Sequence, residues 1–263
     1  MTSNSDPSNV ETNKPLTGKK VVCCVPTKGF DPTESAVPWK ILTDAGAEVV
    51  FSTVDGGSAE CDPIMITGSG LYLLKWSMRA DANGRNAYAE LQKSGAIAGP
   101  TIPYAELNEN DFDGLLLPGG HCPDMRPYLE DKTLQGFVAR FATTGKPIAA
   151  VCHGVVLAAR SGILKGKRVT ALPGFMESTA YNLTRLWMGD YYKTYAGTSV
   201  QKEVTEAGVA EFLPGPRGFG RDSPQSLKNG FTVLDGSLLT ARWPGDCHKF
   251  GTQFVSLLSG TLE

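Results

Sequence analysis

Cys152 is the residue around which chemistry can be built. It ends a short apolar run, Pro147 to Val151, and is followed by His153, Gly154 and a stretch of small and apolar residues from Val155 to Ser161. A buried strand that turns directly into a helix is the geometry of a nucleophile elbow, with the side chain thrown out at the carboxyl end of a sheet. The amides and positive dipole end of the following helix would then favour a thiolate. The competing reading is a small buried hydrophobe. His153 is placed to act as general base or orienter for the sulfur, or else to start a helix at the surface. Leu117-Pro118-Gly119-Gly120 is a second glycine-marked strand end. The amides of Gly120 and His153 could receive an oxyanion there. His121 follows at the mouth of such a pocket. Arg126 could hold a carboxylate or bond to backbone, and His248, after Trp243-Pro244-Gly245-Asp246, could approach the site. The aromatic segment containing Trp187 could form an apolar wall over Cys152.

These residues need a scaffold, and hydrophobic patterning supplies one. Lys20 to Pro26, Asp113 to Leu117 and Pro147 to Val151 are continuous apolar runs of strand length, the signature of strands buried on both faces of a parallel sheet. Ala47 to Thr53 reads as another strand, joined to the first by a helical period over Thr33 to Ala45. Helices are expected at about 129–143, 155–161 and 247–259, a further one at 83–93, and a short strand at 169–171. Phe231 to Arg242 turns at Asp235-Gly236 and predicts a hairpin. The pattern is one α/β domain over residues 19–263, carrying insertions at about 56–109 and 173–230. No main-sheet strand is expected in the first insertion. Residues 1–18 are polar and read as a flexible tail.

Composition narrows the functional classes. The 263 residues carry 25 Lys and Arg against 27 Asp and Glu, a net charge of −2. That balance argues against a nucleic-acid or anionic-membrane binder. No run approaches the ~20 apolar residues of a membrane span. Six cysteines are scattered with no C-x-x-C pair, which argues against disulfide staples and structural zinc and fits a reducing cytoplasm. Neither a metal nor an organic cofactor is expected.

Three segments together carry a resemblance. Gly29-Phe30-Asp31-Pro32-Thr33-Glu34, Leu117-Pro118-Gly119-Gly120-His121 and Ala150-Val151-Cys152-His153-Gly154 resemble, in order, the signature segments of the ThiJ/PfpI superfamily. The resemblance runs from about Lys19 to Leu258. It implies a flavodoxin-like three-layer sandwich with a mostly parallel central sheet, usually assembled as a homodimer. It assigns Glu34 as the acid beside the nucleophile, where a carboxyl next to sulfur should have a raised pKa. The segment from Gly166 through Pro173-Gly174 to Glu177 is similar to the glyoxalase III-like branch, which implies Glu177 as the orienter of His153; the alternative is that Glu177 caps or solvates a helix in the insertion. The implied activity is cysteine-dependent conversion of a small carbonyl compound, a 2-oxoaldehyde, to a 2-hydroxy acid without glutathione. Two alternatives stand beside it. One is a hydrolase, hydratase or cyclase acting on a bulkier metabolite; the other is a non-enzymatic redox sensor or chaperone.

Overall fold

A computed structural model of the chain describes residues 14–262. Its centre is a seven-stranded sheet built from β1 (Lys20–Cys24), β2 (Glu48–Thr53), β3 (Ile102–Pro103), β4 (Gly114–Leu117), β5 (Ile148–Val151), β6 (Thr232–Asp235) and β7 (Leu238–Ala241). The spatial order is β6-β7-β5-β4-β1-β2-β3, and only β6 runs antiparallel to its neighbour. The register sets Val22 opposite Leu115, Leu116 opposite Ala149, and Ala150 opposite Thr240. Strands β4 and β5 are buried at every position because helices cover both faces, which is why they read as unbroken apolar runs.

Helix α1 (Pro32–Asp44) packs between α2 (Ala82–Ser94) and α7 (Cys247–Leu258) on one face. Helices α3 (Lys132–Thr143) and α4 (Gly154–Arg160) cover the other. In α7 the side chains of Phe254 and Leu258 fill the space above Gly114 that a Cβ would need. The layers are those of the flavodoxin-like sandwich. β1 is followed by β2 on one side, while β4 returns on the other. Such a reversal opens a crevice at the carboxyl ends of the strands, where ligands bind in sheets of this kind.

Two differences from the expected pattern have local causes. Ile102–Pro103 lies within the first insertion yet pairs with Ser52 and Thr53 as the sheet edge. A two-residue strand that contains proline gives no hydrophobic alternation to read, and an edge is where proline is tolerated. Leu16 lies in the segment expected to be tail. It is fully buried, and its amide donates to the Ala45 carbonyl at 2.9 Å. Residues 1–13 of that segment lie outside the described residues.

The insertions form the roof of the crevice. The first contributes the turns Pro63–Thr67 and Lys75–Met78; the second contributes α5 (Gly174–Met188) and α6 (Val200–Glu206). They meet where the Trp187 indole donates to the Gly70 carbonyl at 2.9 Å and the Tyr72 and Trp187 rings pack edge to face.

Candidate active site

Strand β5 delivers Cys152 into the crevice through a backbone that a side chain rarely adopts. Its φ is +57°, in the left-handed region, and it is one of two non-glycine residues so placed among the described residues. The junction is held from both sides. The Cys152 amide donates to the Ala241 carbonyl of β7 at 3.2 Å. On the far side, helix α4 comes so close to β4 that any Cβ on Gly154 would fall on the Leu117 carbonyl. Gly154 is therefore a packing requirement of the elbow.

The Cys152 sulfur lies 3.4 Å from Nδ1 of His153. The imidazole's other nitrogen, Nε2, is 2.9 Å from the Thr194 hydroxyl. That hydroxyl is also 2.8 Å from the His121 carbonyl, which can only accept. Thr194 has one proton to give, so it goes to the carbonyl, and His153 Nε2 must carry the proton donated to Thr194. Nδ1 is then left as a lone pair facing the sulfur. Burial, followed by the neighbouring His121 and Arg160, pushes the His153 pKa down to about 3, so the ring is neutral. Arg126 holds the loop in place, its Nε donating to the Thr194 carbonyl at 2.6 Å, with the guanidinium over the Tyr195 ring.

Glu34 approaches the sulfur from α1. Asp31 caps that helix, accepting from the Thr33 and Glu34 amides at 2.8 and 3.1 Å, and so fixes Glu34 in the first turn. One Glu34 oxygen accepts from the Gly119 amide at 2.8 Å. The other, Oε1, is buried with no hydrogen-bond partner in the structure, and the carboxyl interacts with the Cys152 thiol. Burial and the Asp31 charge hold the Glu34 carboxyl well above the ordinary range. Burial, then the charges of Glu34 and Asp31, push the Cys152 thiol up as well. The His153 amide acts the other way, favouring the sulfur anion, but the acids and the burial outweigh it. Both shifts favour the uncharged forms of the thiol and of the acid beside it. Two carboxyls and a buried pocket act against the thiolate that the dipole of the seven-residue helix α4 favours.

Above the sulfur lies a cavity of about 130 Å³. Met65, Met78, Met176, Phe219 and Trp243 make most of its wall apolar, and Asp31, Glu34, Gly120, His121 and Cys152 form the polar end. Among the described residues the Gly120 amide donates to no oxygen and the His153 amide faces the Cys152 sulfur, so the two flank the place where a bound oxygen would sit. Gly119 is confined by the same crowding, because a Cβ there would sit 2.6 Å from the His153 nitrogen. His121 stacks on Tyr192 with ring centroids 4.4 Å apart, and burial lowers its pKa to about 4.

The structure thus gathers Cys152, His153, Glu34, Gly120 and His121; Trp187 and His248 lie elsewhere, while Glu177 and Arg126 take the second of the two roles open to each, a helix cap and a backbone bond. Glu177 reaches the cavity wall but does not orient His153. Its carboxylate accepts from the Val200 amide at 3.0 Å and caps α6, while Thr194 takes the role assigned to it. Trp187 is pulled to the outer surface by its bond to Gly70 and is nearly half exposed. His248 sits on the first turn of α7, where its amide donates to Asp222, away from the cavity. Arg126 braces the Thr194 loop and does not line the pocket. Tyr192 comes from the aromatic segment expected to wall the pocket, whereas Thr194, Arg221 and Trp243 lie on loops with no local signature that marks them as site residues. The one available signal was the Trp-Pro-Gly-Asp turn preceding α7.

A match to the ThiJ/PfpI family-like model over residues 25–210 shows that the chain belongs to that family. It is 26% identical over 229 residues to deglycase PfpI of Pyrococcus furiosus, an alignment covering 87% of this chain and 93% of the relative. Among solved structures, glyoxalase III of Candida albicans superposes with a TM-score of 0.66 at 17% identity, covering 93% and 98% of the two chains. DJ-1beta of Drosophila melanogaster does so with a TM-score of 0.57 at 17% identity, covering 92% and 91%. At these identities the structural likeness concerns the fold.

Proposed function

We propose that the chain is a cysteine-dependent enzyme acting on a carbonyl compound, of the glutathione-independent glyoxalase type. The observation that carries this reading is the sulfur of Cys152 at the floor of a cavity, 3.4 Å from an unprotonated imidazole nitrogen and in contact with a buried acid. Relatives named as deglycases and as a glyoxalase III support it.

The residues suggest the following course. The sulfur adds to the aldehyde carbon of a 2-oxoaldehyde as His153 Nδ1 takes the thiol proton and passes it to the carbonyl oxygen. This gives a hemithioacetal, with the developing oxyanion held by the Gly120 and His153 amides. Glu34 acts in its carboxylate form, its own proton released to solvent before the step: it takes the hydrogen on the former aldehyde carbon, giving an enediolate, and returns it to the adjacent carbon, while the hydroxyl proton on the first carbon moves to the oxygen of the second. The product of that step is the thioester of a 2-hydroxy acid. One carbon is oxidised and its neighbour reduced, so no external oxidant is required. Water then cleaves the thioester, releasing the acid and restoring the thiol. A Glu34 carboxyl whose pKa burial and the Asp31 charge raise suits a group that must both give and take a proton.

The apolar wall favours substrates with a hydrocarbon substituent over the smallest oxoaldehydes, and it lends weight to a second reading. In that reading the same thiol performs hydrolysis, hydration or cyclisation of a bulkier compound. Both are tested by incubating wild type and Cys152→Ser with a graded series of 2-oxoaldehydes and following carbonyl loss and product identity. The expected result is a fall of roughly a thousandfold or more in the variant. Equal rates would remove Cys152 from the chemistry altogether. Carbonyl loss without a 2-hydroxy acid would move the assignment to the second reading.

A further inference from the structure

Seven buried side-chain polar atoms have no hydrogen-bond partner among the described residues, and five of them belong to residues lining the cavity over Cys152: Glu34, His121, Tyr192, Arg221 and Trp243. Buried polar groups are ordinarily satisfied, so a concentration of unsatisfied ones in one cavity describes what the cavity is built to receive. Glu34 faces the thiol. The other informative pair is Arg221 and Trp243. The Arg221 guanidinium carbon lies 4.8 Å from the Trp243 ring centre, and both residues line the cavity. The Arg221 Nη1 and the Trp243 Nε1 are the unpaired atoms, and both can only donate. Arg221 forms no ion pair among the described residues. Its remaining side-chain contact is a long Nη2 bond of 3.5 Å to the Ser77 carbonyl.

We infer that Arg221 and Trp243 form an anion subsite that binds a carboxylate on the substrate, separated from the reacting carbonyl by an apolar chain lying against Met65, Met78 and Met176. A guanidinium edge and an indole N–H offer parallel donors to the two oxygens of a carboxylate. The methionines adapt to a hydrocarbon of varied shape. A substrate ending in hydrogen or alkyl would leave both donors desolvated and unpaired, and sites built to hydrogen-bond a substrate group discriminate strongly against analogues that lack it. The inference rests on the proposed function only in calling the ligand a substrate, since the subsite itself would bind a carboxylate whatever Cys152 does.

The test is equilibrium binding of unreactive probes to the full chain, so it does not depend on turnover. Hexanoate and hexanamide are titrated calorimetrically into wild type, Arg221→Gln and Arg221→Lys. Wild type should prefer hexanoate by at least about tenfold, a preference that falls below about twofold in Arg221→Gln and is partly kept in Arg221→Lys. Equal affinity for the two probes in wild type overturns the inference without recourse to any variant. An undiminished preference in a folded Arg221→Gln, checked by its melting curve, overturns it too. Neither outcome touches the Cys152→Ser comparison, so the two proposals fail separately.

Discussion

The Thr194 hydroxyl has two neighbours and one proton, and that arithmetic selects the tautomer of His153. Replacing Thr194 with Val removes the acceptor for Nε2–H, and the ring is then free to put its proton on the nitrogen facing sulfur. The expected outcome is a fall in kcat of about ten- to a hundredfold with a small change in KM, whereas Thr194→Ser should retain most of the activity. A purely structural role for Thr194 would shift both constants, or the melting temperature alone. A second residue-scale expectation concerns Asp31, whose carboxyl burial raises to about 6 from 3.8. Over that interval the folded chain keeps a proton that the unfolded chain has released, so the Asp31 contribution to stability falls as pH rises from about 4 to about 6 and is level above it. Asn can cap α1 in the same way but does not titrate. The unfolding free energy of Asp31→Asn relative to wild type should therefore improve by about 3 kcal/mol between acid and neutral pH, two units at about 1.4 kcal/mol each. Denaturant titrations at both pH values give this number directly, and a difference independent of pH would contradict it. The site was legible in the sequence where the chain itself brings residues together. Cys152 and His153 adjoin, and Gly120 ends a recognisable strand. The partner of His153 comes from 41 residues away on an irregular loop, where neither spacing nor periodicity marks it.

Elements decide where those side chains end up, and here the sequence reading was strongest. The apolar runs became β1, β4 and β5, and the Asp235-Gly236 turn joins β6 to β7 in antiparallel register. The two-residue edge strand escaped because pairing so short leaves no pattern in composition. The strand–helix junctions carry the mechanical load of the site. Gly154→Ala would force α4 away from β4, and overpacking of this kind costs about 3 kcal/mol, readable as a lowered denaturation midpoint. A second junction, between β7 and α7, is pinned by a buried ion pair. Arg242 donates to both Asp246 oxygens at 2.9 and 2.7 Å, and the same carboxylate accepts from the Phe231 and Arg242 amides. This turn carries Trp243 and Pro244 into the cavity. Asp246→Ala would strand a buried guanidinium, with an expected loss of about 3–5 kcal/mol in unfolding free energy. A loss below 1 kcal/mol would show that the pair is solvated and does not hold the turn.

Across the molecule as a whole, the roof has two characters. Its inner side lines the cavity, while its outer side exposes Tyr72, Leu73, Trp76 and Leu186, each more than two-thirds accessible. No helix among the described residues is long and apolar enough to cross a membrane. The non-enzymatic reading draws on the exposed outer side. That reading expects wild type to suppress aggregation of a heat-denatured client protein with no carbonyl turnover, and Leu73→Lys combined with Leu186→Glu to lose that suppression while the fold, read from the melting curve, is kept. Absence of suppression by wild type would retire the reading. Another trait of the molecule follows from the twisted peptide at position 152. The left-handed conformation disfavours any residue with a Cβ by about 1–2 kcal/mol, and every properly folded copy bears that tax. Glycine would lift it. A Cys152→Gly protein should thus outlast its Cys152→Ala counterpart on heating, although neither carries the sulfur.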